Sequence, residues 1–354
     1  MKVIKGFDEL NNRSVMFVTT KNLDYIRNSQ EIRLLQSVTK DLHVIGSGSM
    51  SYPIRLIKVW CTLLFISFKQ YDAVFVGFVP QLIMPLFGKR MKHLGCEIYE
   101  DFFVSLYDTM CCDRRKFRPD SVIGKWMHRI DARTLSLADK VICDTKAHTE
   151  YFAREFGTIE ESLKESGMSC NGQNDMYEVL YLEADREIYK VRRLDRAQTI
   201  KDLGLDSISK SKIVIYFGSI LPLQGADVVY EAMTKLTAVG GYICVFVGSI
   251  KNLNSSLFCK DIYHIDWLKQ LDLAALIEVA DICLAGHFNA DIDKAKRTIP
   301  GKAYIYEAMG KKMILGDNSA NREFFIEDSR HIFVPMSDAD AIVDAVCKAT
   351  EHGL

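Results

Sequence analysis

The segment Lys212–Thr237, with the sequence KIVIYFGSILPLQGADVVYEAMTKLT, determines how the rest of the chain is interpreted. It opens with a run of β-branched and aromatic residues, which is typical of a buried strand. From Ala226 onward, its apolar residues recur at helical spacing. The loop between them contains Gly218 and Gly225, and glycine lets a backbone approach a ligand closely. The order strand, glycine loop and helix predicts a βα unit with a binding site beyond the carboxyl end of the strand.

The same alternation runs along the whole chain. Short apolar runs predict further strands at Ser14–Thr20, Leu42–Ile45, Ala73–Val76, Glu97–Tyr99, Lys140–Cys143, Val179–Leu182, Tyr242–Val247, Ile262–Ile265, Ile282–Ala285, Met313–Leu315 and His331–Val334. Helical spacing predicts helices at Ser29–Thr39, Tyr52–Phe68, Gln81–Leu94, Gly124–Ala138, Ala226–Thr237, Leu268–Ala280, Lys302–Met309, Asn321–Glu327 and Asp338–Thr350. We therefore expect an α/β protein with two doubly wound, Rossmann-like domains that face each other across a cleft.

The chain has 354 residues, enough for two domains that each bury a core. A charged central stretch predicts an N-terminal domain at 1–190, a linker at 191–210 and a C-terminal domain at 211–354, whose last helix is free to pack back on the first domain. Residues 1–150 carry a net charge of +6 and the remaining residues −7. This balance argues against nucleic-acid binding, which requires a strongly basic face.

The cysteines and the apolar runs indicate a cytoplasmic protein. Several of the ten cysteines lie inside apolar runs, and adjacent Cys111 and Cys112 suit neither a disulfide nor a zinc site, so reduced thiols are expected. The first residues are polar and do not resemble a secretory signal. Of the two longest apolar runs, Val59–Phe68 is too short to span a membrane and Ala73–Gly88 contains two prolines.

A second motif, Asp291–Gly310, has the sequence DIDKAKRTIPGKAYIYEAMG. Pro300 and Gly301 are typical of a helix start, yet several cations crowd this end, where the helix dipole disfavours them. A polyanion such as a diphosphate would explain this arrangement, and Glu307 would face sugar hydroxyls further along the helix. A solvated run of charges is the alternative interpretation.

A third motif, Glu97–Arg115, begins at the end of a predicted strand and is rich in carboxylates and hydroxyls. Asp101 lies where a residue of the first domain would reach into the cleft. A carboxylate there would bind sugar hydroxyls or stabilise a cationic transition state. Loop solvation and local capping would also account for the pattern.

Taken together, these motifs resemble family-four glycosyltransferases of the GT-B fold. The resemblance rests on Phe102–Asp108, on Phe217–Gly225 and on Lys294–Lys302 followed by Glu307-Ala-Met, and it is similar to a bacterial subgroup that builds surface polysaccharides. It implies a retaining, metal-independent transfer from a nucleotide-diphosphate sugar to a glycan or polyprenyl-linked acceptor held by the first domain. No cofactor is implied beyond the donor itself.

The resemblance also implies roles for individual residues. Asp101, Lys302 and Glu307 would carry the chemistry, with Glu307 as the second glutamate of the family's E-x7-E pair. The residues implied for donor binding are Gly218, Ser219, Gln224, Gly225, Gly248, Trp267, Lys294, Arg297, Lys302 and Glu307.

Two positions depart from the family pattern. The first glutamate of E-x7-E is replaced by Ile299, and the basic pair of the glycine loop by Ser219 and Gln224. The cations at Lys294–Lys302 would then supply the missing charge. A non-catalytic scaffold or regulator of the same fold and a nucleotide-sugar epimerase of related fold remain alternatives. An oxidoreductase is disfavoured because Gly46-Ser-Gly48 lacks the rest of a dinucleotide fingerprint.

Two further features concern the membrane and the histidines. Residues 51–95 carry six cations, Arg55, Lys58, Lys69, Lys89, Arg90 and Lys92, against Asp72 as the only aspartate, interleaved with large apolar residues. Basic amphipathic helices of this kind predict peripheral contact with an anionic membrane at its inner face, with ordinary packing on the sheet as the alternative. His264 and His287 follow strands, and both are interpreted as structural.

Overall fold

The structure is a computed structural model that describes residues 2–48, 51–157, 176–205, 211–251 and 258–351. The chain forms two compact units, of which the first ends at Glu183 and the second begins at Ala184. The described part of the predicted linker, 191–205, thus groups with the second unit, and residues 206–210 lie outside the described residues.

Seven parallel strands form the sheet of the first unit, in the order β1-β7-β6-β5-β4-β2-β3. Their bounds are β1 Lys2–Val3, β2 Ser14–Thr19, β3 Asp41–Ile45, β4 Ala73–Gly77, β5 Glu97–Asp101, β6 Lys140–Cys143 and β7 Tyr177–Val179. The described helices are α1 Ile26–Val38, α2 Tyr52–Phe65, α3 Met84–His93, α4 Val122–Leu135 and α5 Lys146–Phe156. The chain reverses its direction across the sheet after β3, which is the doubly wound topology.

Strand β2 shows how the two faces of this sheet are filled. Val15 and Phe17 pack with Leu35 of α1 on one face, whereas Met16 and Val18 pack with α2 and α3 on the other. Since both faces are covered, the strand is apolar at consecutive positions and does not alternate with polar residues.

Six parallel strands form the sheet of the second unit, in the order β10-β9-β8-β11-β12-β13. They are β8 Lys212–Phe217, β9 Tyr242–Val247, β10 Tyr263–Ile265, β11 Ile282–Gly286, β12 Met313–Gly316 and β13 His331–Val334. The helices are α6 Arg196–Asp202, α7 Ala226–Val239, α8 Gln270–Val279, α9 Asp293–Arg297, α10 Gly301–Ala308, α11 Ser319–Phe324 and α12 Ala339–Glu351. In α12, Ile342 and Val346 are buried against α7 in the core of this unit.

The prediction of an α/β protein with two parallel sheets is confirmed. The last predicted strand of the first sheet is displaced to Tyr177–Val179, and β1 was not predicted because two exposed residues carry no periodic signal. Helices α5, α6 and α9 were also not predicted. Two of them are short, and the apolar face of α5 is largely aromatic, which fits a strand as well as a helix.

Asp131 of α4 fixes the loop that follows β5. Its fully buried carboxylate accepts hydrogen bonds from Gln81 Nε2 at 2.7 Å, from Ser105 Oγ at 2.7 Å and from the backbone N–H of Tyr107 at 2.8 Å. The contacts join α4 and the β4–α3 connection to the beginning of this loop.

Replacing Asp131 with Ala should lower the free energy of unfolding by about 3 kcal/mol, because several buried donors would lose their acceptor. Urea denaturation followed by circular dichroism measures this change. Asp120→Ala is the matched control, since its carboxylate is exposed. A loss for Asp131→Ala no larger than that of the control would contradict the assigned role.

Candidate active site

Four neighbouring strands of the second sheet, β9, β8, β11 and β12, run into a glycine at their carboxyl ends. These glycines are Gly248, Gly218, Gly286 and Gly316. A Cβ atom at Gly248 would lie 2.2 Å from the carbonyl oxygen of Gly218, and one at Gly316 would lie 2.1 Å from the carbonyl oxygen of His287. No side chain fits at these distances, so the loops that follow the strands lie close to one another. Together they form a floor of backbone atoms at this edge of the sheet.

Lys302 extends over this floor from the first turn of α10, and it is only 6% exposed. Its Nζ donates a hydrogen bond to Oε1 of Gln224 and lies 4.1 Å from the ring centroid of Tyr216. The Tyr216 hydroxyl donates to the same Gln224 oxygen at 3.2 Å. At Gly218, an added Cβ would lie 3.3 Å from Lys302 Cε. Gln224 therefore links the glycine loop to the lysine.

Two features determine the electrostatics of Lys302, namely the burial of its ammonium group and the side chains around it. Burial lowers the pKa of its ammonium group to about 7. Among the described residues, no carboxylate lies within ion-pair distance of Nζ. A buried cation is normally neutralised by an anionic partner, so this position suits an anion brought by a ligand.

The remaining predicted cations lie on α9. Lys294 is 9% exposed, and its charge acts on the same imidazole, His287, as that of Lys302. Arg297, at the end of this helix, is half-buried. By contrast, Lys296 is exposed and pairs with Asp293 at 3.0 Å. The structure thus brings Lys294 and Lys302 to one site and turns Lys296 to solvent.

Glu307 lies near the other end of α10, about 7.5 Å along the helix from Lys302. Its Oε2 is 2.7 Å from His331 Nε2 and 3.6 Å from Arg330 Nη1. His331 is the first residue of β13, so these contacts are at the amino edge of the sheet, away from the glycines. The structure therefore does not bring Glu307 together with Lys302.

The other predicted donor-binding residues differ in their surroundings. Ser219 is exposed, and Trp267, which follows edge strand β10, is 73% exposed with its indole open to solvent. Gly225 starts α7 with a left-handed φ of 63°, and an added Cβ would lie 2.8 Å from the Asn289 backbone nitrogen. His264 Nε2 contacts the carbonyl oxygen of Gly248 at 2.7 Å, as expected of a structural histidine.

Asp101 belongs to the first unit and is fully buried at the end of β5. Arg27 donates to its Oδ1 through Nη2 at 3.0 Å and Nε at 3.2 Å, and it also pairs with Glu31 at 3.1 Å. Burial raises the pKa of Asp101, and burial together with the Asp101 charge raises the pKa of Glu31 well above its ordinary value. With no exposed surface, Asp101 joins β5 to α1 and has no open side for a substrate.

Two residues of the site were not assigned a role from the sequence. The sequence pattern predicts Tyr216 as part of a buried strand, and in the structure its hydroxyl reaches the loop beyond that strand. From the sequence, His287 is interpreted as structural, yet its buried Nδ1 has no hydrogen-bond partner among the residues that the structure describes. The signal available in the sequence was their position at or just beyond the end of a strand.

The described residues contain no group of three or more His, Cys, Asp or Glu side chains placed to hold a metal ion. The metal-independent reaction implied by the family resemblance stays a prediction.

No protein-family model matches this sequence, and no curated protein matches it either. Several solved structures do resemble its fold. The HepE protein of Anabaena in complex with UDP and glucose matches with a TM-score of 0.64 and 12% identity, over 96% of this chain and 90% of that chain. Sucrose-phosphate synthase from Thermosynechococcus elongatus matches with a TM-score of 0.66 and 12% identity over the same shares. A glycosyltransferase from Rickettsia africae matches with a TM-score of 0.58 and 12% identity, over 96% and 89%.

At this level of identity, the likeness establishes the fold alone. The two parallel sheets described above, each in its own Rossmann-like unit, are those of the GT-B fold.

Proposed function

We propose that this protein is a glycosyltransferase that moves a sugar from a nucleotide-diphosphate donor to an acceptor hydroxyl. The observation that carries the proposal is the buried ammonium group of Lys302, which has no carboxylate partner among the described residues and lies on a floor of glycines. A diphosphate is the ligand that this geometry favours, since it is anionic and needs close backbone approach.

The fold supports this proposal. HepE was solved with UDP and glucose, and sucrose-phosphate synthase shares the same arrangement of sheets. We therefore choose UDP as the first nucleotide to test. Membership of family four, a retaining outcome and a role in surface-polysaccharide synthesis are the finer parts of the proposal, and they rest on the sequence motifs.

The proposed mechanism follows from the charge that develops as the glycosyl bond breaks. The leaving diphosphate gains negative charge, and Lys302 with Lys294 would stabilise it together with the amino end of α10. Gln224 holds the Lys302 ammonium in place through Oε1. A phosphate oxygen of the leaving group would take the proton of the acceptor hydroxyl, and the exposed indole of Trp267 would stack on the base.

Two residues with predicted catalytic roles are not part of the proposed machinery. Glu307 is held by His331 and Arg330 at the opposite edge of the sheet, and Asp101 is enclosed by Arg27 and Glu31. Both side chains are proposed to stabilise the fold.

We also propose peripheral contact with an anionic membrane, with the protein on the cytoplasmic side. No helix among the described residues is both long enough and apolar enough to cross a bilayer. Of the eighteen large apolar side chains that are exposed among the described residues, nine lie on α2, α3 and α4, and Phe65 and Val122 are 88% and 85% exposed. Exposed cations accompany them, among them Lys58, Lys89 and Lys125. This combination suits anionic lipid headgroups.

The proposed membrane-binding surface on α2, α3 and α4 differs in two respects from the predicted segment 51–95. Arg55 is buried and donates to the carbonyl oxygen of Thr20 at 2.7 Å, so it does not face the membrane. Helix α4 extends the surface beyond the segment, because Arg133 donates to the carbonyl oxygen of Pro85 on α3 at 3.3 Å and so lies beside that helix.

Lys302→Met should abolish most of the thermal stabilisation by UDP and weaken its binding roughly tenfold to a hundredfold, since one charge-assisted hydrogen bond is lost. Thermal shift and isothermal titration calorimetry measure these effects, with GDP and CMP included. Lys296→Met, which removes an exposed cation of the same segment, is the control. No stabilisation of the wild-type protein by any of these nucleotides would refute the proposal and favour the non-catalytic alternative.

The affinity for UDP should also depend on pH. The free ammonium group loses its proton as the pH rises through about 7, and a bound diphosphate favours the charged form. The dissociation constant should therefore increase by up to about tenfold per pH unit above 7 and change less in Lys302→Met. Equal slopes in the two proteins would contradict the assignment of Lys302.

The double variant Ile57→Ser, Phe65→Ser should lose most of its binding to vesicles that contain phosphatidylglycerol, because two exposed apolar side chains no longer insert. Co-sedimentation with vesicles of phosphatidylcholine alone and of a phosphatidylglycerol mixture measures this. Leu271→Ser, an exposed leucine of the second unit, is the control. Wild-type protein that remains in the supernatant with both vesicles would disprove the membrane contact.

A further inference from the structure

His287 follows Gly286 at the carboxyl end of β11 and is only 4% exposed. Its Nδ1 is buried and has no hydrogen-bond partner in the part of the chain that the structure describes. A structural histidine normally uses its ring nitrogens, as His264 does by contacting the Gly248 carbonyl oxygen. No hydrogen bond among the described residues therefore accounts for this Nδ1.

The surroundings of His287 place it in the diphosphate site proposed above. The segment 286–288 packs on the glycine loop, since the N–H of Phe288 donates to the carbonyl oxygen of Gln224 at 3.2 Å. An added Cβ on Gly286 would lie 3.9 Å from Lys302 Nζ. On its other side, the His287 carbonyl oxygen touches the end of β12 at Gly316. His287 therefore lies at the same carboxyl edge of the second sheet as the ammonium group of Lys302.

The charged groups that act on this imidazole are both positive. They are the ammonium groups of Lys302 from α10 and Lys294 from α9. Burial, and then these two charges, hold the pKa of His287 well below its ordinary value. The ring is therefore neutral near pH 7.

Leaving a buried polar atom without a partner is destabilising, so such an atom at a ligand site needs an explanation. A ligand that brings hydrogen-bonding oxygens would remove this cost. An anion would also offset the two ammonium charges that keep the ring neutral.

We propose that His287 is a hydrogen-bonding ligand of the bound diphosphate, acting beside Lys302. This inference rests on the proposed function. Binding converts the neutral imidazole toward the protonated form, so the residue positions the diphosphate and takes up a proton as the nucleotide enters.

The direct test follows the His287 ring by ¹H–¹³C NMR over a pH series, with and without saturating UDP, in the full chain. The signal is assigned from its loss in His287→Asn. We expect the midpoint of its titration to rise by at least one pH unit when UDP is bound. The signal of His331, at the other edge of the sheet, is the internal control and should be unchanged by UDP.

Two variants of His287 and one control variant give an independent readout by calorimetry. His287→Leu should weaken UDP binding roughly tenfold or more. His287→Asn, which keeps a polar group near the position of Nδ1, should recover part of this loss. The variant His331→Gln should bind UDP like the wild-type protein.

The outcomes separate this inference from the proposed function. If UDP binds the wild-type protein and requires Lys302, but neither the His287 titration nor the affinity of His287→Leu changes, the role of His287 is refuted and the proposed function stands. If neither UDP, GDP, CMP nor inorganic pyrophosphate binds the wild-type protein, both proposals fail. If His287→Leu is unfolded, the NMR titration of the wild-type protein decides alone.

Discussion

The placement of one buried ammonium group, that of Lys302, governs the architecture of the second unit's site, because no carboxylate of the described part of the chain pairs with it. Lys302 is held by the ring of Tyr216 and the amide oxygen of Gln224, neither of which neutralises its charge. A neutral amide and an aromatic face keep a cation in place while leaving its charge available, whereas a carboxylate would form a closed ion pair. In the proposed site, this arrangement would let a loop without the basic pair of the resembled family serve an anionic ligand.

The glycines at the ends of β8, β9, β11 and β12 are explained by the position of the Lys302 ammonium group. In the proposed site, a lysine that reaches an anion over the ends of four strands needs a floor without side chains, and a Cβ at Gly248 would lie 2.2 Å from the carbonyl oxygen of Gly218. The helix that carries Lys302 has a well-packed inner face, where Tyr306 is fully buried and makes an edge contact with Phe217 at 5.5 Å. Rigid packing on one side and bare backbone on the other fix the ammonium group in space.

The first unit uses buried charge for a different purpose. Arg27 is enclosed with Glu31 and Asp101, and it also donates to the carbonyl oxygen of Leu180, so a single guanidinium joins α1 to two points of the sheet. Burial raises the pKa of both carboxyl groups. Disrupting such a buried cluster is strongly destabilising, and the cluster specifies how the helix and the strands pack together. It is therefore better suited to a structural role than to contact with a substrate.

The sequence by itself determined the α/β class, the parallel sheets and nearly every strand, because burial on both faces leaves apolar runs that need no tertiary information. It also marked Lys302, since a cation at a helix start opposes the helix dipole and has to be compensated. Only the tertiary structure decided which side chains meet. The direction of α10 across the sheet separates Glu307 from Lys302, enclosure by α1 removes Asp101 from solvent, and the packing of three connections brings Tyr216 and His287 to the ammonium group. These outcomes depend on distances between residues far apart in the chain, and local periodicity carries no information about such distances.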